Sequence, residues 1–199
     1  RDRKLAYTGK PAIVAIGTST GGTQALFFPV RDIKGINVPV VITQHMPKTF
    51  TAILAEHIEQ NCGIPCHEGA GGMALERGHA YVAPGGHHME IVRRNGLLEI
   101  ALNEGPPENF CKPSVEPMMR SVIDLYGNKV LGIMLTGMGS DGLDGFRKLA
   151  NKGGVIIAQD ETTSVVWGMP GAVAMAGLCT HVLPVHEIGP WLRKNVIQA

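Results

Sequence analysis

Apolar residues in this chain gather in short continuous runs, which polar and glycine-rich stretches separate. Runs rich in Val, Ile and Leu, without polar residues at alternate positions, are typical of parallel strands buried on both faces of a sheet. We therefore predict strands at five places along the chain, namely 12–16, 39–43, 80–83, 131–135 and 155–158.

Between these runs, apolar residues recur at the spacing of amphipathic helices. The two clearest faces comprise Phe50, Ile53, Leu54, His57 and Ile58, and then Val115, Met118, Met119, Val122, Ile123 and Tyr126. Ser114 is placed to cap the second of these helices, with Pro117 in its first turn. Because strands alternate with helices, the pattern predicts an α/β domain with a doubly wound, mostly parallel, Rossmann-like sheet.

The middle of the chain has a different pattern. Alternating segments at 89–93 and 98–102 flank the dipeptide Asn95-Gly96. Asn-Gly between two such segments favours a two-residue hairpin turn, because both residues tolerate a positive φ. We therefore expect an antiparallel β-hairpin added to the parallel sheet.

Composition narrows the class of protein. The 199 residues are 44% hydrophobic and 18% charged, with a formal net charge of +1. This balance gives no basic excess for nucleic acid, and no apolar stretch approaches the roughly 18 residues of a membrane span. The chain shows no signal-peptide pattern and its four cysteines form no disulfide framework, so we expect a cytoplasmic protein. We expect a polar stub or linker remnant at residues 1–10 and one folded domain at 11–199.

A serine in a glycine-rich turn is the first candidate for chemistry. The segment Gly17-Thr18-Ser19-Thr20-Gly21 fits the G-x-S-x-G pattern of serine hydrolases and joins the first predicted strand to a helix-like stretch. A helix N-terminus beneath the hydroxyl would favour the negative charge that develops during nucleophilic attack. Such turns also cradle phosphates, so the alternative is a nucleotide- or phosphate-binding module that uses the turn from Gly17 to Gly22.

Two further candidates follow the carboxyl ends of other predicted strands. His45 comes directly after the second strand, and Asp141 lies in the glycine-rich segment after the fourth. Open α/β sheets place their sites at this edge, so Ser19, His45 and Asp141 predict a Ser-His-Asp triad. The chain order differs from the Ser-Asp-His order of α/β-hydrolases. Asp160 is a rival acid, whereas Asp144 is better interpreted as an exposed residue in the first turn of a helix.

Six segments carry a resemblance to a known family. They are Gly17-Thr18-Ser19-Thr20-Gly21-Gly22-Thr23, Thr43-Gln44-His45-Met46-Pro47, Ala80-Tyr81-Val82-Ala83-Pro84-Gly85, Pro113-Ser114-Val115, Leu135-Thr136-Gly137-Met138-Gly139-Ser140-Asp141-Gly142 and Gly168-Met169-Pro170. In this order they resemble the signature blocks of the CheB chemotaxis methylesterase catalytic domain, and they span the chain from about Ala12 to His181.

The resemblance implies hydrolysis of glutamate γ-methyl esters on the cytoplasmic helices of chemoreceptors, with release of methanol and, in some members, deamidation of receptor glutamines. It assigns the catalytic roles to Ser19, His45 and Asp141 and makes residues 11–199 the catalytic domain. It also implies an N-terminal phosphorylatable receiver domain in the parent protein. As oxyanion donors we expect the backbone N–H groups of Thr20 and Met138, which lie in glycine-rich turns beside the serine.

Some positions depart from the family's pattern. Thr18 stands where alanine is expected, Glu116 where aspartate is expected, and Asn109-Phe110-Cys111 replaces a more basic stretch. These departures affect receptor preference rather than the chemistry. Another class of function that stays open is a catalytically silent scaffold that docks receptor helices.

Histidine and cysteine clusters raise the question of a metal. They comprise His79, His87 and His88 around the predicted hairpin, and Cys62, Cys66 and His67 after the first long helix. Neither spacing is diagnostic of a zinc site. We therefore expect no metal and no other cofactor. From the balanced charge we expect no nucleic-acid partner.

Overall fold

The computed structural model describes residues 9–198 of the chain. The predicted stub at residues 1–10 therefore lies largely outside the described residues. The described part contains nine strands: β1 (Ile13–Thr18), β2 (Val40–Gln44), β3 (Cys66–Glu68), β4 (Ala80–Val82), β5 (His88–Arg94), β6 (Leu97–Asn103), β7 (Val130–Met134), β8 (Val155–Gln159) and β9 (His181–Leu183). It contains seven α-helices: α1 (Gly22–Ala25), α2 (Phe27–Arg31), α3 (Phe50–Cys62), α4 (Val115–Tyr126), α5 (Leu143–Lys152), α6 (Met169–Met175) and α7 (Val185–Leu192).

Seven strands form one parallel sheet in the order β3-β4-β2-β1-β7-β8-β9. All five predicted strands are present, and each of their ends lies within two residues of the predicted one. The prediction missed the two edge strands β3 and β9. Each has only three residues, which is too short for a run of apolar residues to be recognised.

Both faces of the sheet are covered. In β1, Val14 and Ile16 pack into one hydrophobic cluster, whereas Ile13 and Ala15 pack into a second cluster on the other face. Helices α1, α2, α3 and α7 supply the first cluster, and α4, α5 and α6 supply the second. Two-sided burial explains why this strand is a continuous apolar run, and it confirms the doubly wound α/β fold.

The predicted hairpin is confirmed, but it does not join the parallel sheet. Strands β5 and β6 pair antiparallel as a separate two-stranded sheet. Asn95 and Gly96 connect them with φ values of 53° and 77°, as a primed hairpin turn requires. The hairpin packs on α4, where the Ser121 hydroxyl accepts a hydrogen bond of 2.9 Å from Ile91 N.

The helical predictions divide into one success and one error. In α4, Met118 and Met119 are fully buried, and the Ser114 hydroxyl caps the helix by accepting a hydrogen bond from Glu116 N. In α3, the predicted apolar face is wrong at Phe50, Ile53 and His57, which are exposed. The helix instead buries Thr51, Leu54, Ala55, Ile58 and Cys62. Over residues 9–198, no helix has the length and apolar character to cross a bilayer.

We expect Phe146→Ala to lower the free energy of unfolding by about 3–5 kcal/mol, because this fully buried ring fills the second cluster and its loss leaves a cavity. Phe110→Ala is a matched control, since the Phe110 side chain is fully exposed, and it should change the stability by less than about 0.5 kcal/mol. Urea unfolding of both variants measures the difference, and equal losses would contradict this assignment of the core.

Candidate active site

The sheet brings three predicted site residues to one edge. Ser19 follows β1, His45 follows β2 and Asp141 lies in the loop after β7, and these three strands are neighbours in the sheet. The strand order also reverses at the boundary between β1 and β7. The loops diverge at such a reversal and leave a crevice, which is where open α/β sheets bind their ligands.

The turn after β1 fixes Ser19 from two sides. Ser19 N donates a hydrogen bond of 3.0 Å to Thr136 O, and Gly22 N donates one of 2.8 Å to Ser19 O. The Ser19 hydroxyl oxygen accepts a hydrogen bond of 2.9 Å from Met138 N. A Cβ at Gly137 would come within 2.6 Å of this oxygen, so only glycine allows the two turns to approach so closely.

Gln44 is the last residue of β2, and its side chain contacts the backbone of both Ser19 and His45. Its side-chain nitrogen donates a hydrogen bond of 2.8 Å to Ser19 O and a longer one, 3.3 Å, to His45 O. Its side-chain oxygen is buried and has no hydrogen-bond partner among the described residues. A Cβ at Gly22 would lie 2.2 Å from that oxygen, so the absence of a side chain at this residue leaves room for Gln44.

His45 and Asp141 form a close pair. His45 Nε2 lies 2.7 Å from Asp141 Oδ2, and the aspartate is 2% exposed. Since an ionised carboxylate can only accept hydrogen bonds, the imidazole carries its proton on Nε2 and a free lone pair on Nδ1. His45 Nδ1 is therefore the ring nitrogen that can accept a proton.

Asp141 accepts three further hydrogen bonds. Ser114 Oγ and Asn109 Nδ2 donate to its Oδ1 at 2.7 Å and 2.8 Å, and Val115 N donates to Oδ2 at 2.8 Å. Burial of the carboxyl group opposes its ionisation, but the hydrogen bond from His45 and these other donors outweigh burial and lower the pKa of Asp141. The carboxylate also lies at the N-terminus of α4, which favours a negative charge.

The tight turn at residues 108–111 contacts Asp141 and also exposes Phe110 to solvent. Glu108 and Cys111 exchange two backbone hydrogen bonds, of 3.0 Å and 2.9 Å, across Asn109 and Phe110. Both central residues have positive φ values, 52° and 66°, which asparagine tolerates but a bulky aromatic residue such as Phe110 rarely adopts. Arg120 fixes the turn with two hydrogen bonds to the Glu108 carboxylate, of 2.8 Å and 2.7 Å. The strained backbone aims the Asn109 amide at Asp141 and leaves Phe110 in solvent.

The structure brings some of the predicted residues together and leaves others apart. His45 pairs with Asp141, and Met138 N contacts Ser19, but no hydrogen bond joins Ser19 to His45 within residues 9–198. Thr20 is exposed, and its carbonyl accepts a hydrogen bond of 2.9 Å from Thr136 Oγ1. The acids that rivalled Asp141 lie elsewhere. Asp144 is exposed in the first turn of α5, and the Asp160 carboxylate accepts hydrogen bonds from Thr163.

The glycine-rich turn is poorly suited to a phosphate. Two of its backbone N–H groups, those of Ser19 and Gly22, are already bonded within the protein. The helix that follows has only four residues, so its dipole is weak. The alternative of a nucleotide-binding module at Gly17 to Gly22 therefore gains no support from the geometry.

Sequence reasoning missed several residues that touch the site. They are Asn109, Cys111 and Gln44, together with the contact from Ser114 to Asp141. Ser114 was predicted only as a helix cap, and the proline-rich loop before it gave no indication of which residues would reach the acid. Only the departure from the family's pattern at 109–111 marked that turn as unusual.

The possible metal ligands form one group of three within the part of the chain that is described. His45, Cys111 and Asp141 each offer a ligand atom, and these atoms lie within 4.8 Å of one another. The clusters noted in the sequence make other contacts. His79 pairs with His67 at 2.9 Å, and the His87 side chain contacts Glu104 at 2.5 Å.

A comparison with protein families gives a match over residues 14–192, to the family described as CheB methylesterase. The chain also resembles a solved structure, the CheB methylesterase catalytic domain of Thermotoga maritima. The two are 34% identical with a TM-score of 0.90, and the similarity covers 94% of this chain and all of that one.

Curated relatives are more similar in sequence. A protein-glutamate methylesterase/protein-glutamine glutaminase of Azospirillum brasilense is 55% identical over 192 residues, and one of a group 2 operon in Rhodospirillum centenum is 53% identical over the same length. In both cases the match covers 96% of this chain and 49% of the relative. The chain thus spans about half the length of the curated relatives it matches.

The lowered pKa of Asp141 predicts a pH dependence of stability. Because the folded-state pKa lies below the unfolded value of about 3.9, the ionised carboxylate stabilises the fold above that pH, and this contribution is lost as the pH falls through the folded-state pKa. We expect Asp141→Asn to be less stable than the wild type at pH 7, with a gap that narrows towards pH 3.

Urea unfolding at a series of pH values measures this gap. Asp124→Asn is the control, since Asp124 is exposed on α4, and its curve should follow that of the wild type. A gap for Asp141→Asn that stays constant from pH 7 to pH 3 would show that the carboxylate is not stabilised in the folded protein.

Proposed function

This chain belongs to the CheB methylesterase family, and from that premise we propose that it is a serine hydrolase of glutamate γ-methyl esters on chemoreceptors. The reaction consumes water, restores the glutamate carboxylate and releases methanol. The observation that carries the proposal is the His45–Asp141 pair, with a distance of 2.7 Å, beside Ser19 on neighbouring strand ends. This is the arrangement of base and orienting acid that a nucleophilic serine needs.

In the first step, His45 Nδ1 accepts the Ser19 proton while Ser19 Oγ bonds to the ester carbonyl carbon. Asp141 holds the proton on Nε2 and stabilises the imidazolium that forms. The hydrogen bond between Ser19 and His45, which is absent among the described residues, must form by a movement of one side chain. Such hydrogen bonds are often long in ligand-free enzymes and tighten when the substrate binds.

The tetrahedral intermediate needs donors for its negative oxygen. Met138 N already points at Ser19 Oγ from 2.9 Å, and we assign it and Thr20 N to this role. The intermediate collapses when the bond to the methoxy oxygen breaks, and that oxygen leaves as methanol with the proton from His45. The product of this step is an acyl-enzyme on Ser19.

Water completes the reaction. His45 Nδ1 accepts a proton from the water as its oxygen attacks the acyl carbon, and the bond to Ser19 Oγ then breaks and returns the serine hydroxyl. A glutamine side chain follows the same route, with ammonia as the leaving group instead of methanol. The names of the curated relatives, which include protein-glutamine glutaminase, support this second reaction.

The shape of the site favours an ester carried on a long side chain. Ser19 is only 8% exposed, so the reacting carbonyl must extend inwards from the surface that bears it. Three exposed apolar side chains, Phe110, Met138 and Val165, belong to segments that contact the site. Phe110 is next in the chain to Cys111, whose sulfur contacts the His45 ring. The backbone N–H of Met138 donates to Ser19 Oγ, and the Val165 side chain packs on Gly21. We call these three residues the rim, and a protein surface that presents a glutamate ester would cover them.

The proposed partners follow from the family. The substrate is the helical cytoplasmic part of a methylated chemoreceptor, which places the reaction in the cytoplasm. Since the chain covers 49% of its relatives, the parent protein has room for a second domain, and we propose a phosphorylatable receiver in that place. The net charge of +1 supports neither a nucleic acid nor membrane insertion.

We expect Ser19→Ala to lower kcat by about 10⁴–10⁶, because removal of a triad nucleophile leaves only binding and oxyanion stabilisation. Methanol release from receptor membranes methylated in vitro measures this directly. Ser140→Ala is the matched control, since Ser140 is an exposed serine at the same edge of the sheet, and its rate should stay close to that of the wild type.

Retention of more than a tenth of the wild-type rate in Ser19→Ala would overturn the scheme. If neither protein releases methanol, a serine-directed phosphonate probe separates the two explanations. Labelling at Ser19 would retain the hydrolase and reject the chosen receptor, whereas no labelling would reject the hydrolase.

The rim residues also lead to a prediction about substrate recognition. We expect Phe110→Ser to lower kcat/KM for methylated receptor by about tenfold, the scale for loss of one buried aromatic contact at an interface. Hydrolysis of a small activated ester should not change, because such a substrate does not reach the rim. Leu97→Ser, at the exposed first residue of β6, is the control and should affect neither substrate. Equal losses on both substrates would place Phe110 in the chemistry instead of in recognition.

A further inference from the structure

We propose that His45 and Cys111 form an inhibitory Zn²⁺ site at the entrance to the active site. The inference rests on the proposed function, because the metal would occupy the nitrogen that must accept the Ser19 proton. It also deepens that function, since it makes the rate of hydrolysis depend on free zinc.

The geometry of the two side chains carries the proposal. Cys111 Sγ lies 3.6 Å from His45 Nδ1. Zinc bonds of about 2.3 Å to sulfur and 2.0–2.1 Å to nitrogen, at the tetrahedral angle, separate the two ligand atoms by about 3.6 Å. The two side chains thus already stand at the edge length of a zinc tetrahedron.

The surroundings of His45 complete the arrangement. His45 Nε2 lies 2.7 Å from Asp141 Oδ2 and carries the proton, so Nδ1 keeps a lone pair that can bind a metal once the proton of the neighbouring Cys111 thiol is displaced. A ligating histidine almost always donates its other ring N–H to a carboxylate or carbonyl, which fixes the ring and raises its basicity. The carboxylate–histidine pair that serves catalysis is therefore also a carboxylate–histidine pair suited to zinc.

Accessibility singles out Cys111 among the four cysteines. Cys62, Cys66 and Cys179 are buried, whereas Cys111 is partly exposed. Burial, and then the negative charge of Asp141, raise the pKa of the Cys111 thiol to about 11, so the thiol is neutral at pH 7 and zinc must displace its proton. With two protein ligands and solvent in the remaining positions, the site should be weaker and more reversible than a structural zinc site.

Zinc at Nδ1 blocks the first chemical step. The bound metal uses the lone pair that would take the proton from Ser19, so the serine cannot be activated. No bond to the substrate forms or breaks, and removal of the metal returns the protein to its active form.

Inhibition of methanol release by Zn²⁺ tests the proposal. We expect Zn²⁺ to inhibit the wild type, and Cys111→Ser to raise the half-inhibitory concentration by about tenfold or more, the scale on which loss of even an outer partner weakens a metal site. Each variant is compared with its own metal-free rate. Mg²⁺, which prefers oxygen ligands, should not inhibit either protein. Equal half-inhibitory concentrations for the two proteins, or no inhibition of the wild type, would overturn the site.

A second readout needs no substrate. Co²⁺ bound in place of zinc should give a near-ultraviolet thiolate-to-cobalt charge-transfer band in the wild type and in Ser19→Ala, and Cys111→Ser should lack it. The three buried cysteines remain in that variant, so a band that persists would assign the thiolate elsewhere and overturn the proposal. A band absent from all three proteins would do the same. Because this reading is independent of hydrolysis, it decides the metal site even if the proposed function fails.

Discussion

The burial of one carboxylate organises the site. Asp141 is nearly inaccessible to water, and a buried charge without partners would cost several kcal/mol. Its four donors come from separate parts of the chain: the imidazole of His45 after β2, the first turn of α4 at Ser114 and Val115, and the turn at Asn109. The same four hydrogen bonds that make burial tolerable also orient the imidazole. Stability and the chemistry of the site therefore depend on one set of contacts.

The added hairpin has a structural part in this arrangement. His88, at the start of β5, is fully buried, and its Nδ1 accepts a hydrogen bond of 3.1 Å from Ser114 N. Its other ring nitrogen lies 2.9 Å from Pro106 O, to which it can only donate. This neutral imidazole ties both ends of the loop at 106–114 to the hairpin. That loop contains Asn109, whose amide donates to Asp141, and Cys111, whose thiol contacts His45. The hairpin therefore holds the side of the site that the parallel sheet does not reach.

Some residues of the site could be placed from the local sequence pattern, whereas others depend on contacts with distant parts of the chain. Ser19, His45 and Asp141 were predictable because apolar runs identify parallel strands, and parallel strands must end at one edge of a sheet. Asn109 and Cys111 were not, because their contacts depend on a turn whose place is set by distant residues, among them Arg120 and His88. The error at α3 has a similar cause. A periodic pattern gives a helix but does not state which of two apolar stripes the sheet will cover.

Two side chains, Ser19 and Cys111, are possible nucleophiles for the base that we propose, His45, and their surroundings favour the serine. Cys111 lies 3.6 Å from His45 Nδ1, but its raised pKa keeps the thiol neutral, whereas a reactive cysteine requires a lowered one. Its sulfur is also 3.3 Å from Asn109 O, a carbonyl that can only accept a hydrogen bond. Ser19 instead has a backbone N–H, that of Met138, aimed at its oxygen. In the mechanism that we propose, this N–H would stabilise negative charge at the serine, so the backbone donor and not the proximity of the base would select the nucleophile.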